Sequence, residues 1–305
     1  MSGNMKLLWV ALSAVACAFP ETELRGGVAP VSASEEAGTL IAARTSEAWL
    51  EELKDLIVRR ENFFSEAEAL SENERSRRAS DIAARFEAHL ERFPDSFPGL
   101  YFYADFLHEG GENERAEKYL LRAEKLAPEL APIQFLLGKI LAEKGSVRDA
   151  FERFRNGFSL GVPDAESAAL YGEFLLENRA FLLAEKCIEN RAELDDAMLR
   201  AFRLAAILSG EDTDFYWRYA EAFYDIETPD MKSALLAWEN VARLPEVQKR
   251  QDLAAAVALH RARVLAELGR IEEADTILRE TVGFPQLERS RRKVFEIIYR
   301  KRREK

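Results

Sequence analysis

Side chains able to do chemistry are few in this sequence and far apart along it. None of the three histidines, His89, His108 and His260, has a second metal ligand at the spacing that zinc sites use. Acidic neighbours such as Asp195 and Asp196 are adjacent in sequence, so they point to different sides of a helix. We therefore expect no catalytic residue, no cofactor and no metal site, and we predict that the protein is not an enzyme.

Composition narrows the class of protein further. The chain has 305 residues, of which 48% are hydrophobic, and its formal net charge is −11. Such a hydrophobic fraction indicates a folded chain, and the negative charge disfavours binding to nucleic acid. Two cysteines are too few for a disulfide framework. We therefore expect no nucleic-acid partner.

The first 18 residues have the pattern of a secretory signal peptide. Leu7–Ala16 is an apolar run of the right length, preceded by a short positively charged segment and too short to span a membrane. Two cleavage sites remain open. Ala14-Val15-Ala16 before Cys17 resembles a bacterial lipobox and would make Cys17 a lipidation site, whereas cleavage after Ala18 would release a soluble protein. The expected location is therefore periplasmic or membrane-anchored.

The next segments predict a linker followed by a first pair of helices. Residues 19–44 mix Gly, Pro, Ser and Glu without helical periodicity, which is typical of a flexible linker. Thr45 and Ser46 can cap a helix, and a second helix is expected to begin at Ser76 and end before Pro94. Residues 45–96 are thus predicted to form a degenerate helix pair.

From residue 97 onward, small residues recur at a fixed interval. Ala104, Gly138 and Gly172 are spaced 34 positions apart, as are Ala116 and Ala150. A period of this size is the signature of a helical repeat array. Small side chains let two helix backbones approach closely, and the large residues between them fill the remaining space.

Residues 97–128 carry a resemblance to a known family. Ala104, Leu107, Gly111, Ala116 and Pro128 lie at the positions that the tetratricopeptide repeat uses for close packing, turn and termination. A unit at 132–162 and a late unit at 252–280 show the same pattern. The resemblance implies an all-α fold over residues 97–285, an α-solenoid of antiparallel helix pairs that form a right-handed superhelix.

Residues 166–209 allow two interpretations. Glu166–Cys187 could be a helix pair by itself, or one long helix that pairs with Leu194–Ser209. We favour the long helix, because it keeps the late unit in phase with the repeat.

The last segment, 286–305, is predicted to be a basic capping helix. Leu287, Val294, Phe295 and Ile298 form its expected buried stripe, and its other side is rich in Arg and Lys. A terminal helix with a polar outer face covers the open end of a solenoid. The same basic side could also contact anionic lipid or a second copy of the chain.

The family resemblance also implies a protein or peptide partner and the place where it binds. In this family the first helix of each repeat lines a groove, and matching positions give the expected groove residues: Tyr101, Asp105, His108, Phe135, Lys139, Glu173, Trp217, Glu221, Tyr224 and Arg263. Their acidic members favour a basic segment as the ligand. We expect a non-catalytic scaffold that assembles a cell-envelope complex; alternatives are an accessory subunit or enzyme of envelope processing, or a spacer without a ligand.

Overall fold

The computed structural model describes the backbone of residues 33–303 and the side chains of residues 48–303. Within these residues every regular element is helical, which confirms the predicted all-α fold. The chain divides after Gly161 into two compact units. The predicted signal peptide, its Cys17 and residues 19–32 of the predicted linker lie outside the described residues.

Between residues 33 and 161, the first unit has six helices and one short 3-10 turn at Ala67–Ala69. The helices are α1 (Ala33–Glu66), α2 (Glu72–Arg92), α3 (Phe97–Glu109), α4 (Asn113–Leu126), α5 (Ala131–Glu143) and α6 (Val147–Leu160).

Both helices of the N-terminal pair begin earlier than predicted. Residues 33–44, expected in the linker, belong to α1, because this stretch is rich in strong helix formers and contains no proline. Helix α2 begins at Glu72 instead of Ser76, because the side chain of Ser71 accepts a hydrogen bond from the backbone N–H of Glu74 at 3.3 Å.

Two antiparallel pairs, α3 with α4 and α5 with α6, form the rest of the first unit. Each pair is closed by a three-residue turn, and its helices pack along their length. Gly111 and Gly145 in these turns have φ of +79° and +77°, a conformation that glycine adopts without steric cost. The pairing predicted from the 34-residue period is therefore confirmed here.

The described part of the second unit, residues 162–303, has nine helices and one 3-10 turn at Pro285–Leu287. The helices are α7 (Ala165–Glu177), α8 (Arg179–Ala184), α9 (Arg191–Leu208), α10 (Thr213–Ala222), α11 (Met231–Arg243), α12 (Pro245–Lys249), α13 (Gln251–Glu267), α14 (Ile271–Glu280) and α15 (Glu288–Arg303).

The favoured single helix over 166–187 is wrong. It breaks at Asn178, whose side-chain amide donates to the carbonyl oxygen of Phe174 at 2.9 Å and competes with the helical backbone bonds. The chain then makes the short α8 and turns at Lys186, which has φ of +54°. The expected partner is nevertheless correct, because α7 packs along α9.

The small residues of the period mark the closest helix contacts. A Cβ atom added to Gly138 would lie 2.8 Å from Cδ1 of Phe154, and one added to Gly172 would lie 2.7 Å from Cε1 of Phe202. Both distances are too short for carbon atoms, so a side chain at either position would push the second helix of the pair away.

The last helix, α15, packs on α13 and α14 through Val294 and Ile298, which are fully buried. The predicted burial of Phe295 is wrong, since its side chain is 57% exposed. The two buried residues are four positions apart and share one side of the helix, whereas Phe295 lies about 100° around the axis from Val294.

Candidate partner-binding surface

In the first unit, two predicted groove residues are held by polar contacts. Asp105 pairs with Arg60 of α1, a side chain that is almost fully buried. Burial raises the pKa of Asp105, and the Arg60 guanidinium opposes this rise. His108 is buried, with its ring Nδ1 2.8 Å from Oδ1 of Asn113. Neither side chain offers a large surface to a ligand.

The other predicted groove residues of the first unit lie at different depths. Phe135 is 3% exposed and packs against Phe154 and the backbone of Gly157, so its predicted role as an anchor for a ligand is wrong. Its ring fills the space that Gly157 leaves open. Tyr101 is half-buried against the core, and Lys139 is half-exposed, with Nζ 3.5 Å from Oε1 of Glu109.

In the second unit, three predicted groove residues belong to one cluster: Trp217 of α10, Tyr224 just after the end of α10, and Arg263 of α13. The Trp217 ring meets Trp238 edge-on at 5.0 Å and His260 at 5.3 Å. The Tyr224 hydroxyl lies 3.2 Å from Nδ1 of His260, and the Arg263 guanidinium lies 3.9 Å from the centre of the Tyr224 ring. We call these five residues the aromatic cluster. It joins three helices, because Trp238 belongs to α11.

Burial of the aromatic cluster changes the acidity of two of its members. Burial lowers the pKa of His260 to about 4, and repulsion from Arg263 and Lys293 acts in the same direction. Burial raises the pKa of Tyr224 to about 12. Both side chains are therefore neutral near pH 7, and His260 acts in packing instead of carrying charge.

A second polar centre lies between α7 and α10. Arg218 donates through Nε and Nη2 to both carboxylate oxygens of Glu173, and through Nη1 to Asp225 at 3.2 Å. Two further arginines, Arg179 and Arg191, donate to the backbone carbonyl of Asp225 at 3.0 and 3.1 Å. The predicted groove residue Glu173 is thus neutralised by its own chain.

The first helices α7, α10 and α13 share one side of the second unit through these contacts. We call this surface the first-helix face. It carries the predicted groove residues of the second unit: Glu173, Trp217, Glu221, Tyr224 and Arg263. All five are of intermediate exposure.

Sequence reasoning missed Arg218, Trp238 and His260. Arg218 follows Trp217 directly, so the helical period places its side chain towards the preceding first helix. The sequence therefore contains a signal for this residue. His260 was treated as an isolated histidine, because nothing in the sequence links it to an aromatic ring 43 positions earlier. Trp238 is fully buried and stacks on the His260 ring at 4.1 Å, a contact that helical periodicity does not reveal.

Neither a metal site nor a membrane-spanning helix is found among the described residues. No group of three or more His, Cys, Asp or Glu side chains among residues 48–303 could hold a metal ion. In the same part of the chain, no helix is both long and apolar enough to cross a membrane. The expectation that the protein is not an enzyme stays a prediction.

Comparisons with known proteins give limited likenesses. No known family model matches the chain. The protein CTR9 homolog of Arabidopsis thaliana is 29% identical over 175 residues, which cover 53% of this chain but only 16% of the length of that protein.

Two solved structures resemble parts of the chain. The crystal structure of YrrB, described as a TPR protein with an unusual peptide-binding site, is 16% identical, with a TM-score of 0.49 over 68% of this chain and 95% of that one. PilF of Pseudomonas aeruginosa is 12% identical, with a TM-score of 0.45 over 78% and 93%. At TM-scores below 0.5, these likenesses identify neither a function nor a partner for this chain.

Proposed function

We propose that the protein is a non-catalytic scaffold that binds a segment of another protein on the first-helix face of its second unit. One observation carries this proposal: aromatic and charged side chains from α10 and α13 are locked together in the aromatic cluster before any ligand arrives. A preformed surface loses little conformational entropy on binding, so a modest contact area can give useful affinity.

The aromatic cluster suits protein contacts better than small-molecule chemistry. Tryptophan, tyrosine and arginine are the residues that most often dominate binding energy in protein interfaces. Trp217, Tyr224 and Arg263 supply all three types, and each keeps part of its surface open to solvent. Histidine 260 is neutral beside them, so it adds packing area without a buried charge.

The charge of the ligand is part of the same proposal. Of the three acidic groove residues expected from the sequence, Asp105 and Glu173 are already paired with arginines. A preference for a basic segment therefore rests on Glu221, which lies on the same helix as Trp217. We propose that a Lys or Arg of the ligand pairs with Glu221.

The location of the scaffold is proposed from the sequence alone. The apolar run at residues 7–16 supports export and a role in assembling a cell-envelope complex, with Cys17 as a lipidation site in one alternative. Mass spectrometry of the mature protein from cell envelopes would detect a lipidated Cys17 or an N-terminus at Phe19. An intact Met1 or Met5 would contradict export.

Site-specific cross-linking tests the proposed surface. A photoreactive phenylalanine analogue replaces Asp214 in one protein and Leu236 in a control. Asp214 is exposed on α10, seven residues before Glu221 and therefore on the same side of that helix, so the Glu221 carboxylate is kept for the ligand. Leu236 is 54% exposed on α11, the second helix of its pair. Light-dependent adducts are identified by mass spectrometry, and the captured segment is made as a synthetic peptide. We expect adducts at position 214 and none at position 236.

Titration of that peptide completes the test. Glu221→Lys should weaken binding about tenfold or more if a basic side chain pairs with Glu221. A peptide that binds the wild type and Glu221→Lys equally well would contradict the proposed contact. Equal cross-linking at positions 214 and 236 would show that the first-helix face is not the binding surface.

A further inference from the structure

The last described helix, α15, occupies the position of a first helix, and no second helix among residues 33–303 packs on its outer side. The 34-residue period carries Ala262 of α13 onto Glu296, and Leu265 onto Tyr299. Helix α15 packs on both α13 and α14, and its buried contacts are made by Val294 and Ile298. The side that a second helix would cover is therefore open.

Residues on this open side are large and exposed. Phe295 is 57% exposed and Tyr299 is 56% exposed, and their rings are nearly parallel, with centroids 6.5 Å apart. Arg303 lies over the Tyr299 ring, with 5.7 Å between its guanidinium carbon and the ring centroid. We call Arg292, Phe295, Glu296, Tyr299 and Arg303 the terminal face. A helix that only covers the end of a solenoid has a polar outer face, and two exposed aromatic rings do not fit that role.

The charge around the terminal face is strongly positive. Helix α15 contains eight Arg or Lys and two Glu. Some of its cations are used within the chain: Arg300 donates to Glu267, and Arg302 to Asp275. Arg289, Arg292 and Lys293 are exposed to solvent. An occupant of the terminal face must therefore combine apolar and acidic side chains.

We propose that the terminal face binds an acidic amphipathic helix of a partner protein, which packs on α15 as second helices pack on the other first helices. Its apolar side would cover Phe295 and Tyr299, and its carboxylates would pair with Arg292, Lys293 and Arg303. A helix is the element that covers the equivalent side of α3 and α5 in the first unit.

Glu296 distinguishes this occupant from an anionic membrane. It lies at the centre of the face, where headgroup phosphates would repel it, whereas a bound helix can place a small or basic residue opposite it. Glu296 also stands where the other first helices have Ala or Gly. It therefore limits how closely a second helix can approach, and its removal should improve the fit.

The chain itself supplies a defined probe. Helix α14 is a second helix with four acidic residues, one Arg and the buried apolar residues Ile271, Ala274 and Leu278. A fluorescent peptide with this sequence, cross-linked between side chains to hold it helical, is titrated against the full chain by anisotropy. A control peptide replaces Glu272, Glu273 and Glu280 by Lys. We expect saturable binding of the acidic peptide and at least tenfold weaker binding of the control.

Substitutions in the terminal face test whether the acidic peptide binds there. Phe295→Ser with Tyr299→Ser should weaken binding of the acidic peptide at least tenfold, whereas Val58→Ser, at a 52% exposed position of α1, should leave it unchanged. Glu296→Ala should tighten binding. Because all four positions are exposed, circular dichroism should show unchanged folding.

Other occupants would be recognised by parallel measurements. Equal binding of both peptides, or binding insensitive to Phe295 and Tyr299, would overturn the proposal. Sedimentation that shows a dimer lost in the Phe295→Ser, Tyr299→Ser variant would assign the face to a second copy instead. Flotation with phosphatidylglycerol vesicles that depends on the same two residues would assign it to lipid.

Discussion

The two units of the protein close their helix pairs by different means. In the first unit, α5 meets α6 where Gly138 lies against the ring of Phe154, and the turn between them uses Gly145 at positive φ. In the second unit, the pair α7 and α9 keeps the contact of Gly172 with Phe202 but is interrupted by α8. Three arginines that converge on Asp225 hold this irregular segment in place.

This difference shows what a repeat needs when its connection is not regular. A short glycine turn orients the second helix by itself, so apolar packing is sufficient. Asp225 lies after the end of α10, where its backbone carbonyl has no helical partner, and Arg179 of α8 and Arg191 of α9 satisfy it. The polar centre beside the first-helix face therefore ties the irregular connection to the segment that follows α10.

Removing the large ring in the first unit should have the largest effect. Phe154→Ala leaves a cavity against Gly138 and should lower the free energy of unfolding by about 3–5 kcal/mol. Urea unfolding followed by circular dichroism measures this loss. Tyr299→Ala, at an exposed position, is the control and should change little. A loss below about 1 kcal/mol for Phe154→Ala would contradict the importance of this contact.

Acidification should destabilise the second unit through His260. Its pKa is about 4 in the folded chain against 6.5 for the free side chain, so the unfolded state binds the proton more readily. The contribution of neutral His260 to the free energy of unfolding is complete above pH 6.5. It is lost as the pH falls towards 4, and the loss amounts to about 3 kcal/mol.

His260→Gln separates this effect from the carboxylates, whose protonation acts in the same direction. The variant should lose less stability than the wild type between pH 7 and pH 4 in urea unfolding. If the two proteins lose stability in parallel, His260 is not the group responsible. Burial also lowers the pKa of His89 in the first unit, so some acid sensitivity should remain.

Arginine contacts in the second unit should contribute less than the apolar contact but more than surface ion pairs. Arg218→Met keeps the apolar stem and removes bonds to Glu173 and Asp225, and should lower stability by about 1–3 kcal/mol. Arg200→Met is the matched control, because the Arg200–Asp196 pair is exposed and should contribute about 0–1 kcal/mol. Equal losses would remove the distinction between the two kinds of arginine.

Substitutions in the turns should change the stability least, and the change should have opposite signs in the two units. Lys186 holds φ of +54° in the second unit, so Lys186→Gly should stabilise the chain by about 0.5–1 kcal/mol. Gly145→Ala in the first unit should destabilise it by a similar amount, because its φ is +77°. Thermal unfolding of both variants measures the difference. Shifts of the same sign would show that φ does not control these turns.

The regular pairs could be predicted from sequence because their determinants are local and repeated. A small residue, a turn glycine and a 34-residue spacing define α3 with α4 and α5 with α6 without knowledge of the rest of the chain. The break at Asn178 could not be predicted in the same way. It depends on one side-chain bond to a carbonyl, and the apolar residues around it continue the helical pattern.

The candidate site was only partly predictable for a related reason. Repeat positions identify which residues lie on first helices, and in the second unit they identify Trp217, Tyr224 and Arg263, which do meet. Repeat positions do not show how deeply each of these side chains is buried. Phe135 is buried because Gly157 leaves room for its ring, and Glu173 is neutralised because Arg218 reaches it from the next first helix.

Hydrogen–deuterium exchange of the full chain, with and without the peptide captured at position 214, tests the central claim most directly. We predict slower exchange in the first helices α10 and α13 on binding, with unchanged exchange in the second helices α11 and α14. Protection confined to α11 and α14, or to the first unit, would contradict binding on the first-helix face.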